Sequence, residues 1–259
     1  MPFKDIVVYL DASSATTARV QTAIALAGTH GARLIGVDVS PLAAFKGESR
    51  NDVLAIEERF ISSVSRSTLQ FEFHAATNGS SAEHLFSHAA DLLISTQPHP
   101  DHLHLTNPAV PEDILTTAGV PMLILPSDWT GERGIGETVV IAYNFSREST
   151  RAIHDSLPIL QLAQKVFLFV FAKGYESKNV HVQALKRHLE DHQVNVVLDG
   201  WPDGGETDVI SALFASLDRE GADLIVSGAY SHSPRMENWL GGATRELLNN
   251  ASMPVLMSH

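Results

Sequence analysis

Ala90-Asp-Leu-Leu-Ile-Ser95 and Ala222-Asp-Leu-Ile-Val-Ser227 are one phrase written twice, 132 residues apart. Working outward, Ile6 to Leu10 followed by Asp11-Ala-Ser13 returns as Val139 to Tyr143 followed by Asn144-Phe-Ser146, at an offset of 133. Pro121-Met-Leu-Ile-Leu125 returns as Pro254-Val-Leu-Met-Ser258, again at 133. Three separated matches at nearly one offset mean a duplicated domain rather than a chance likeness. The boundaries follow: a first domain over residues 1–126, a linker over 127–136 and a second domain over 137–259. The linker, Ser127-Asp-Trp-Thr-Gly131-Glu-Arg-Gly134-Ile-Gly136, is marked by glycines and polar residues that interrupt every periodicity.

The phrase is a short apolar run, and such runs alternate along the chain with helix-period segments. That rhythm argues for parallel strands joined by crossover helices. In the first half, strands are expected near Ile6–Leu10, Arg33–Val39, Gln70–Ala75, Leu92–Ser95 and Pro121–Leu125. A helix follows the first strand, with Ser13/Ser14 as candidate caps, Gly31 as its stop, and Val20, Ile24 and Ala27 on one face. A second, about Asp52 to Arg66, aligns Val53, Ile56, Phe60 and Val64. In the second half, strands are expected near Thr138–Tyr143, Val166–Phe171, Val194–Leu198, Leu224–Ser227 and Pro254–Met257. Helices are expected over Glu148–Ala163, Asn179–His192, Thr207–Glu220 and Gly241–Asn250, the second with Val182, Leu185 and Leu189 as its apolar face. The fold class is therefore α/β, two tandem open doubly wound five-stranded parallel sheets with helices on both faces. Ligands of such sheets lie beyond the carboxyl ends of the strands, so chemistry is sought after the first and fourth strands of each half.

Bulk properties narrow the function. With 44% hydrophobic residues in 259, each half can bury its own core. The net charge of −12 is wrong for a general nucleic-acid binder, which needs a basic face to displace counterions. No apolar run approaches the roughly 18 residues of a membrane span. Met1-Pro-Phe-Lys4-Asp5 leads straight into a strand pattern without a signal peptide's layout, so a cytoplasmic location is expected. There is no cysteine, hence no disulfide, thiolate metal site or cysteine nucleophile.

The fourth strand of the second half runs into Ser227-Gly228-Ala-Tyr-Ser231-His-Ser-Pro-Arg-Met-Glu-Asn-Trp-Leu-Gly241-Gly242-Ala243-Thr244-Arg245. This reads as strand, small-residue turn, a nine-residue excursion, and paired glycines opening a helix. A helix start offers unpaired N–H groups and a positive dipole end, and glycine lets a phosphate approach the backbone. The alternative is that Gly228 and Gly241 serve turn geometry and close packing.

On these residues, on the tail Gly241-Gly-Ala-Thr-Arg-Glu-Leu-Leu…Met253-Pro-Val-Leu-Met257 and on the duplication, the chain resembles the universal stress protein family in tandem form. The resemblance spans nearly the whole length and is stronger in the second half. It implies sheets of strand order 3-2-1-4-5. It also implies a nucleotide loop of Gly, two residues, Gly, nine residues, Gly, then Ser or Thr. Gly228 matches the first glycine and Gly241 the third, whereas Ser231 replaces the second and Gly242 stands at the hydroxyl position. Loss of that hydroxyl removes one phosphate contact, worth about 1–2 kcal/mol. The family's acid after the first strand falls on Asn144, and Val170 falls where the backbone meets adenine. The phosphates would then lie on the amides of Gly228 to Ser231 and Gly241 to Thr244. In the first half the acid is present as Asp11, but Thr96 and Pro108 stand at the two glycine positions, and proline has no N–H to offer. The first half is thus expected to be a degenerate, structural partner.

Histidines are the other candidates. His99, His102 and His104, with Asp101, have a composition suited to a transition metal but no established ligand spacing, and a solvated loop is the simpler reading. His188 and His192, four apart on a helix that also carries His181, could clamp a metal, with a solvated face again simpler. His154 with Asp155, His232 and His259 carry no recognisable pattern. Asp203-Gly-Gly-Glu206-Thr-Asp208 suits a helix start with acids near the positive dipole end. There is no Gly-x-Ser-x-Gly elbow and no Gly-x4-Gly-Lys phosphate loop, so catalysis has no motif of its own. The resulting expectation is a stress-response factor whose second domain weakly binds ATP, ADP or AMP as a sensor or switch, with no metal. Slow nucleotide hydrolysis is the most enzymatic version. Its rival is a non-nucleotide interaction protein with an unidentified protein partner. Its two sheets would pair as an intramolecular pseudo-dimer, or in a homodimer, through the edge strands Pro121–Leu125 and Pro254–Met257.

Overall fold

The computed structural model describes residues 2–39, 50–75, 87–97, 111–171, 179–200, 208–230 and 237–259. They fall into two compact units, Met1–Glu132 and Arg133–His259. Unit 1 runs β1 (Asp5–Leu10), α1 (Ala15–His30), β2 (Arg33–Asp38), α2 (Arg50–Val64), β3 (Phe71–Ala75), a short 3-10 turn (Ser87–Ala89), β4 (Leu92–Thr96), α3 (Pro111–Thr117) and β5 (Met122–Leu125). Its strands order as β3-β2-β1-β4-β5, and the pairings β1 with β2 and β4, β2 with β3 and β4 with β5 are parallel.

Unit 2 repeats the plan with β6 (Thr138–Tyr143), α4 (Arg147–Leu160), β7 (Lys165–Val170), α5 (Val180–Asp191), β8 (Val196–Gly200), α6 (Val209–Glu220), β9 (Leu224–Gly228), α7 (Glu237–Asn250) and β10 (Val255–Ser258). The order β8-β7-β6-β9-β10 with parallel pairings is the same topology. Each unit is thus a doubly wound 3-2-1-4-5 sheet. The central strands are buried along their length because helices cover them, which is why they read as unbroken apolar runs.

The duplication extends to details of bonding. In each unit the aspartate of the repeated phrase clamps the start of the first strand: Asp91 Oδ2 accepts from the N–H groups of Lys4 and Asp5 at 2.6 and 3.0 Å. Asp223 accepts from Gly136, Glu137 and Thr138 at 2.7, 3.0 and 3.3 Å. The prolines before the last strands also match, since Pro121 and Pro254 each offer their carbonyl to the neighbouring strand, at Leu93 and Ile225. Asp223→Ala strands three donors and is expected to lower stability by about 2 kcal/mol, from the worth of hydrogen bonds to a charged group. Urea unfolding measures it; Asp223→Asn, which keeps one acceptor oxygen, should lose about half as much.

Sequence and structure differ at particular edges. On α1 the expected face of Val20, Ile24 and Ala27 is turned slightly: Ile24 is half-buried, and Ala23, Leu26 and Ala27 carry the contact. Ser14 stands at the cap position without a capping bond, and Ser13 bonds Asp11 instead. On α2, Ile56, Phe60 and Val64 are buried as the periodicity implied. Gly36 is glycine because a Cβ there would meet the Phe60 ring at 2.7–2.9 Å. The third strand of unit 2 starts at Val196 rather than Val194, because Val194 N–H closes the end of α5 on the Leu189 carbonyl, with Gln193 at φ +65°. The helix α3 was not foreseen; its seven residues are too few for a periodic signal, although Pro111 suits a first helical position.

Candidate functional site

In unit 2 the carboxyl ends of β6 and β9, with Phe171 just past β7, open on a crevice roofed by α6 and α7. Asn144, Ser227, Gly228 and Thr244 supply its polar edge, and Ala142, Phe171, Val209, Ile210, Leu213 and Leu247 its apolar walls. The structure therefore brings together Asn144, Gly228 and Thr244, which are 100 residues apart in sequence at the extremes. The cavity holds about 20 Å³, room for one water, so a larger ligand must open it. Val170 is fully buried at the end of β7, and the next residue, Phe171, is the one that lines the crevice.

Each polar residue has a defined posture. Asn144 Oδ1 accepts from Ser146 N–H at 3.1 Å, an Asx turn that leaves the amide nitrogen to donate. Ser146 then caps α4, accepting from Ser149 N–H at 3.0 Å. Thr244 is buried, and its hydroxyl accepts from Tyr230 N–H at 3.3 Å. Ser227 donates to the Gly228 carbonyl at 3.0 Å. Two non-glycine residues flanking the crevice are left-handed, Phe145 at φ +63° and Tyr230 at φ +48°. Such conformations cost about 1–3 kcal/mol and gather at ligand sites.

Gly228 has a packing reason for its identity. A Cβ there would stand 2.4 Å from the Ser149 nitrogen and 2.6 Å from the Glu148 carbonyl carbon, so only glycine lets the start of α4 lie against β9. The expected opening of a helix by Gly241 is corrected. Helix α7 begins at Glu237, which places Gly241 and Gly242 in its interior. Glycine weakens a helix by about 1 kcal/mol per residue, and burial of Thr244, Leu247 and Leu248 along the same helix outweighs it. By helix geometry, the N–H groups from Gly241 onward bond carbonyls four residues earlier. Ser231 and His232 lie outside the described residues.

Unit 1 fills the corresponding position differently. Asp11 Oδ2 meets the guanidinium of Arg19 at 3.1 Å, while Oδ1 accepts from Ser13 N–H and Thr16 Oγ1, both at 2.8 Å, and from the Ser13 hydroxyl. Arg19 is 1% exposed and also donates to the Tyr9 carbonyl at 2.7 Å. Burial alone would raise the Asp11 carboxyl; the Arg19 charge and the bonds from Ser13 and Thr16 outweigh it and hold the pKa at about 2, against an ordinary 3.8. By the repeat offset, Asp11 and Arg19 correspond to Asn144 and Ala152, so unit 2 carries neutral residues at both positions of the ion pair. Sequence reading found Asp11 but missed Arg19. The signal available was an arginine in an apolar helix face whose counterpart is alanine.

The histidines divide. His154 on α4, His188 on α5 and His192 at the C-cap of α5 form a ring cluster, with centroids 5.3 Å apart for His154 and His188 and 4.6 Å for His188 and His192. Burial pushes the His188 imidazole below its ordinary value, and His192 and His154 push the same way against Asp191. His181 is exposed, and Asp155 pairs with Arg151 at 3.4 Å. No group of three metal-binding side chains suited to an ion occurs among the described residues. His259 contacts the Ala229 carbonyl at 3.1 Å, near Tyr230. Asp208 caps α6 by accepting from Ser211 N–H at 3.1 Å. His99, Asp101, His102, His104, Pro108, Asp203 and Glu206 lie outside the described residues. Among those described, no helix is long and apolar enough to cross a membrane.

No protein-family model and no curated protein matches this chain. Solved structures do. A universal stress protein from Archaeoglobus fulgidus DSM 4304 superposes at TM-score 0.71 with 14% identity, covering 98% of this chain and 95% of that one. A protein of unknown function from Pseudomonas aeruginosa PAO1 gives 0.62 and 16%, over 99% and 92%. A putative universal stress protein from Pseudomonas aeruginosa UCBPP-PA14 gives 0.60 and 16%, over 99% and 93%. The chain thus has the fold of tandem universal stress proteins throughout its length.

Proposed function

We infer that the chain is a stress-response sensor in which unit 2 takes an adenine nucleotide weakly at the crevice of Asn144, Gly228 and Thr244, while unit 1 serves as its structural partner. The observation that carries this reading is the asymmetry between the repeats. At the same sheet position, unit 1 holds the Asp11–Arg19 ion pair, and unit 2 has a crevice edged by Asn144 with no cation among the described residues that line it. The left-handed Phe145 and Tyr230 beside the crevice support it, because strain of this kind persists where a site needs it. A cavity of about 20 Å³ suits a switch, since binding must move α6 or α7 to admit a base.

The test combines two measurements. Small molecules released by denaturing the freshly purified protein are identified by mass spectrometry, and melting is followed with millimolar ATP, ADP or AMP. Stabilisation by several degrees is expected, and Asn144→Ala and Thr244→Val should each reduce it. No released nucleotide and an unmoved melting temperature would sink the reading.

One observation favours the rival reading of an interaction protein without nucleotide: packing on α4 alone accounts for Gly228, and α7 encloses Gly241. On that reading Asn144→Ala and Thr244→Val leave partner capture unchanged and no adenine compound alters melting.

A further inference from the structure

We propose that the imidazoles of His154, His188 and His192 form an acid-sensitive latch: while neutral they hold the C-terminal turn of α5 against α4, and protonation releases it. The latch is independent of what the crevice binds.

His188 Nε2 is buried and has no hydrogen-bond partner among the described residues. A neutral imidazole can leave one nitrogen as a bare acceptor, whereas an imidazolium carries an N–H at both. Protonated where it stands, His188 would bury a charged donor without an acceptor, a costly arrangement that exposure of the ring relieves. On either side lie the other rings, His154 of α4 at 5.3 Å and His192 at 4.6 Å, so a second proton in the cluster meets like charge at close range. Burial is the first cause that holds the His188 imidazole below its ordinary 6.5, followed by His192 and then His154.

The opposing groups are weaker or engaged elsewhere. Asp191 favours the proton, and so does the negative dipole end of α5, where His188 and His192 stand. Among the other described charges, Asp155 beside His154 pairs with Arg151, and Glu190 pairs with Lys186. Asp199 of β8, the strand on which α5 packs, pairs with Arg219. Lys165 of β7 lies over the Phe167 ring, and His181 and Arg187 are exposed. His154 is exposed and the other two histidines are half-buried, so solvent pH reaches the cluster. Release has a defined path: Gln161, the C-cap of α4, donates through Nε2 to the His192 carbonyl at 3.0 Å, and the fully buried Leu189 follows His188 in sequence. In unit 1, α1 packs on an α2 that contains no histidine, so this helix pairing does not itself require imidazoles.

A His188 value depressed in the folded state means that the unfolded chain binds the proton more tightly. Its contribution to stability is therefore complete above 6.5 and is lost as pH falls through the window below that value. Burial depresses His30 of unit 1 in the same direction, so the test is local to α5.

The test follows the full chain by NMR titration of the histidine rings and by hydrogen exchange of the amides over residues 185–193, corrected for the intrinsic effect of pH. His188 is expected to titrate below 6.5, and its midpoint should move up in both His154→Gln and His192→Gln. Exchange over that segment should rise about threefold or more between about pH 7.5 and 5.5, since one proton allows at most about tenfold per pH unit. The rise should vanish in His188→Gln and persist in His181→Gln. A wild-type His188 midpoint at or above 6.5, or α5 exchange that does not respond to acid, would overturn the proposal. Because the wild-type titration and exchange already decide, a His188→Gln chain that folds poorly does not shield it.

Discussion

Gly228→Ala should destabilise unit 2 by about 3 kcal/mol or more, whether or not any ligand is present. The added methyl would sit 2.4 Å from the Ser149 nitrogen and 2.6 Å from the Glu148 carbonyl carbon. Both are backbone atoms of a helix start, so no rotamer change relieves the clash, and α4 must lift from β9. Overpacking among side chains typically costs about 1–3 kcal/mol, and a backbone obstacle belongs at or above the top of that range. Helix α4 packs on β9 and β10, so displacing it also disturbs the Ser146 cap and the Asn144 turn. The measurement is the urea midpoint of the variant against wild type. A loss below about 1 kcal/mol would mean that the close approach of α4 to β9 is wrong. One consequence bears on ligand work: loss of nucleotide response in Gly228→Ala would report a displaced helix, so Asn144 and Thr244 are the positions that test binding.

Arg19→Ala should destabilise unit 1 by about 3–5 kcal/mol, the usual result of removing one partner from a buried ion pair. Arg19 is 1% exposed, and without it Asp11 keeps only hydroxyl and amide donors for a charge that is 14% exposed at the side chain. The double change Asp11→Asn with Arg19→Ala copies what unit 2 carries at Asn144 and Ala152, and should recover at least half of the loss. A double variant no better than Arg19→Ala would show that the pair is not coupled. The wild type also has an acid signature. The Asp11 pKa is depressed from 3.8 to about 2, so the folded state holds the proton more weakly than the unfolded chain. Its contribution is complete above about pH 4 and is lost as pH falls through the window from 3.8 to about 2. By proton linkage that is about 2 kcal/mol. Stability of the double variant should lack this component of the acid limb.

Much of the fold was legible because strands buried on both faces cannot hide their composition. Val139 to Ala142 and Leu224 to Val226 are apolar without interruption, and these strands repeat those of the first half at offsets of 133 and 132. The edges were less legible where a backbone group had a competing partner, as with Val194 N–H, drawn to the Leu189 carbonyl and so lost to the strand. The site was partly legible. Asn144, Gly228 and Thr244 were named from loop position and resemblance, and they do meet. Arg19, Glu148 and Phe171 were not named, because their importance lies in what stands opposite them across the sheet. The helix that starts at Glu237 was misplaced for a related reason: local propensity puts two glycines at a boundary, whereas burial of Leu247 and Leu248 rewards a longer helix.

The sequence by itself determined the duplication, the parallel strands and their loops, since periodicity and repeats are properties of the chain read in one dimension. Only the tertiary structure decided that Gly228 is required by the backbone of α4, that Asp11 is neutralised by Arg19, and that Asn144, Gly228 and Thr244 edge one crevice in unit 2. Those are outcomes of close packing and charge pairing between residues distant along the chain. Such contacts depend on distances of a few ångströms that no spacing in the sequence encodes.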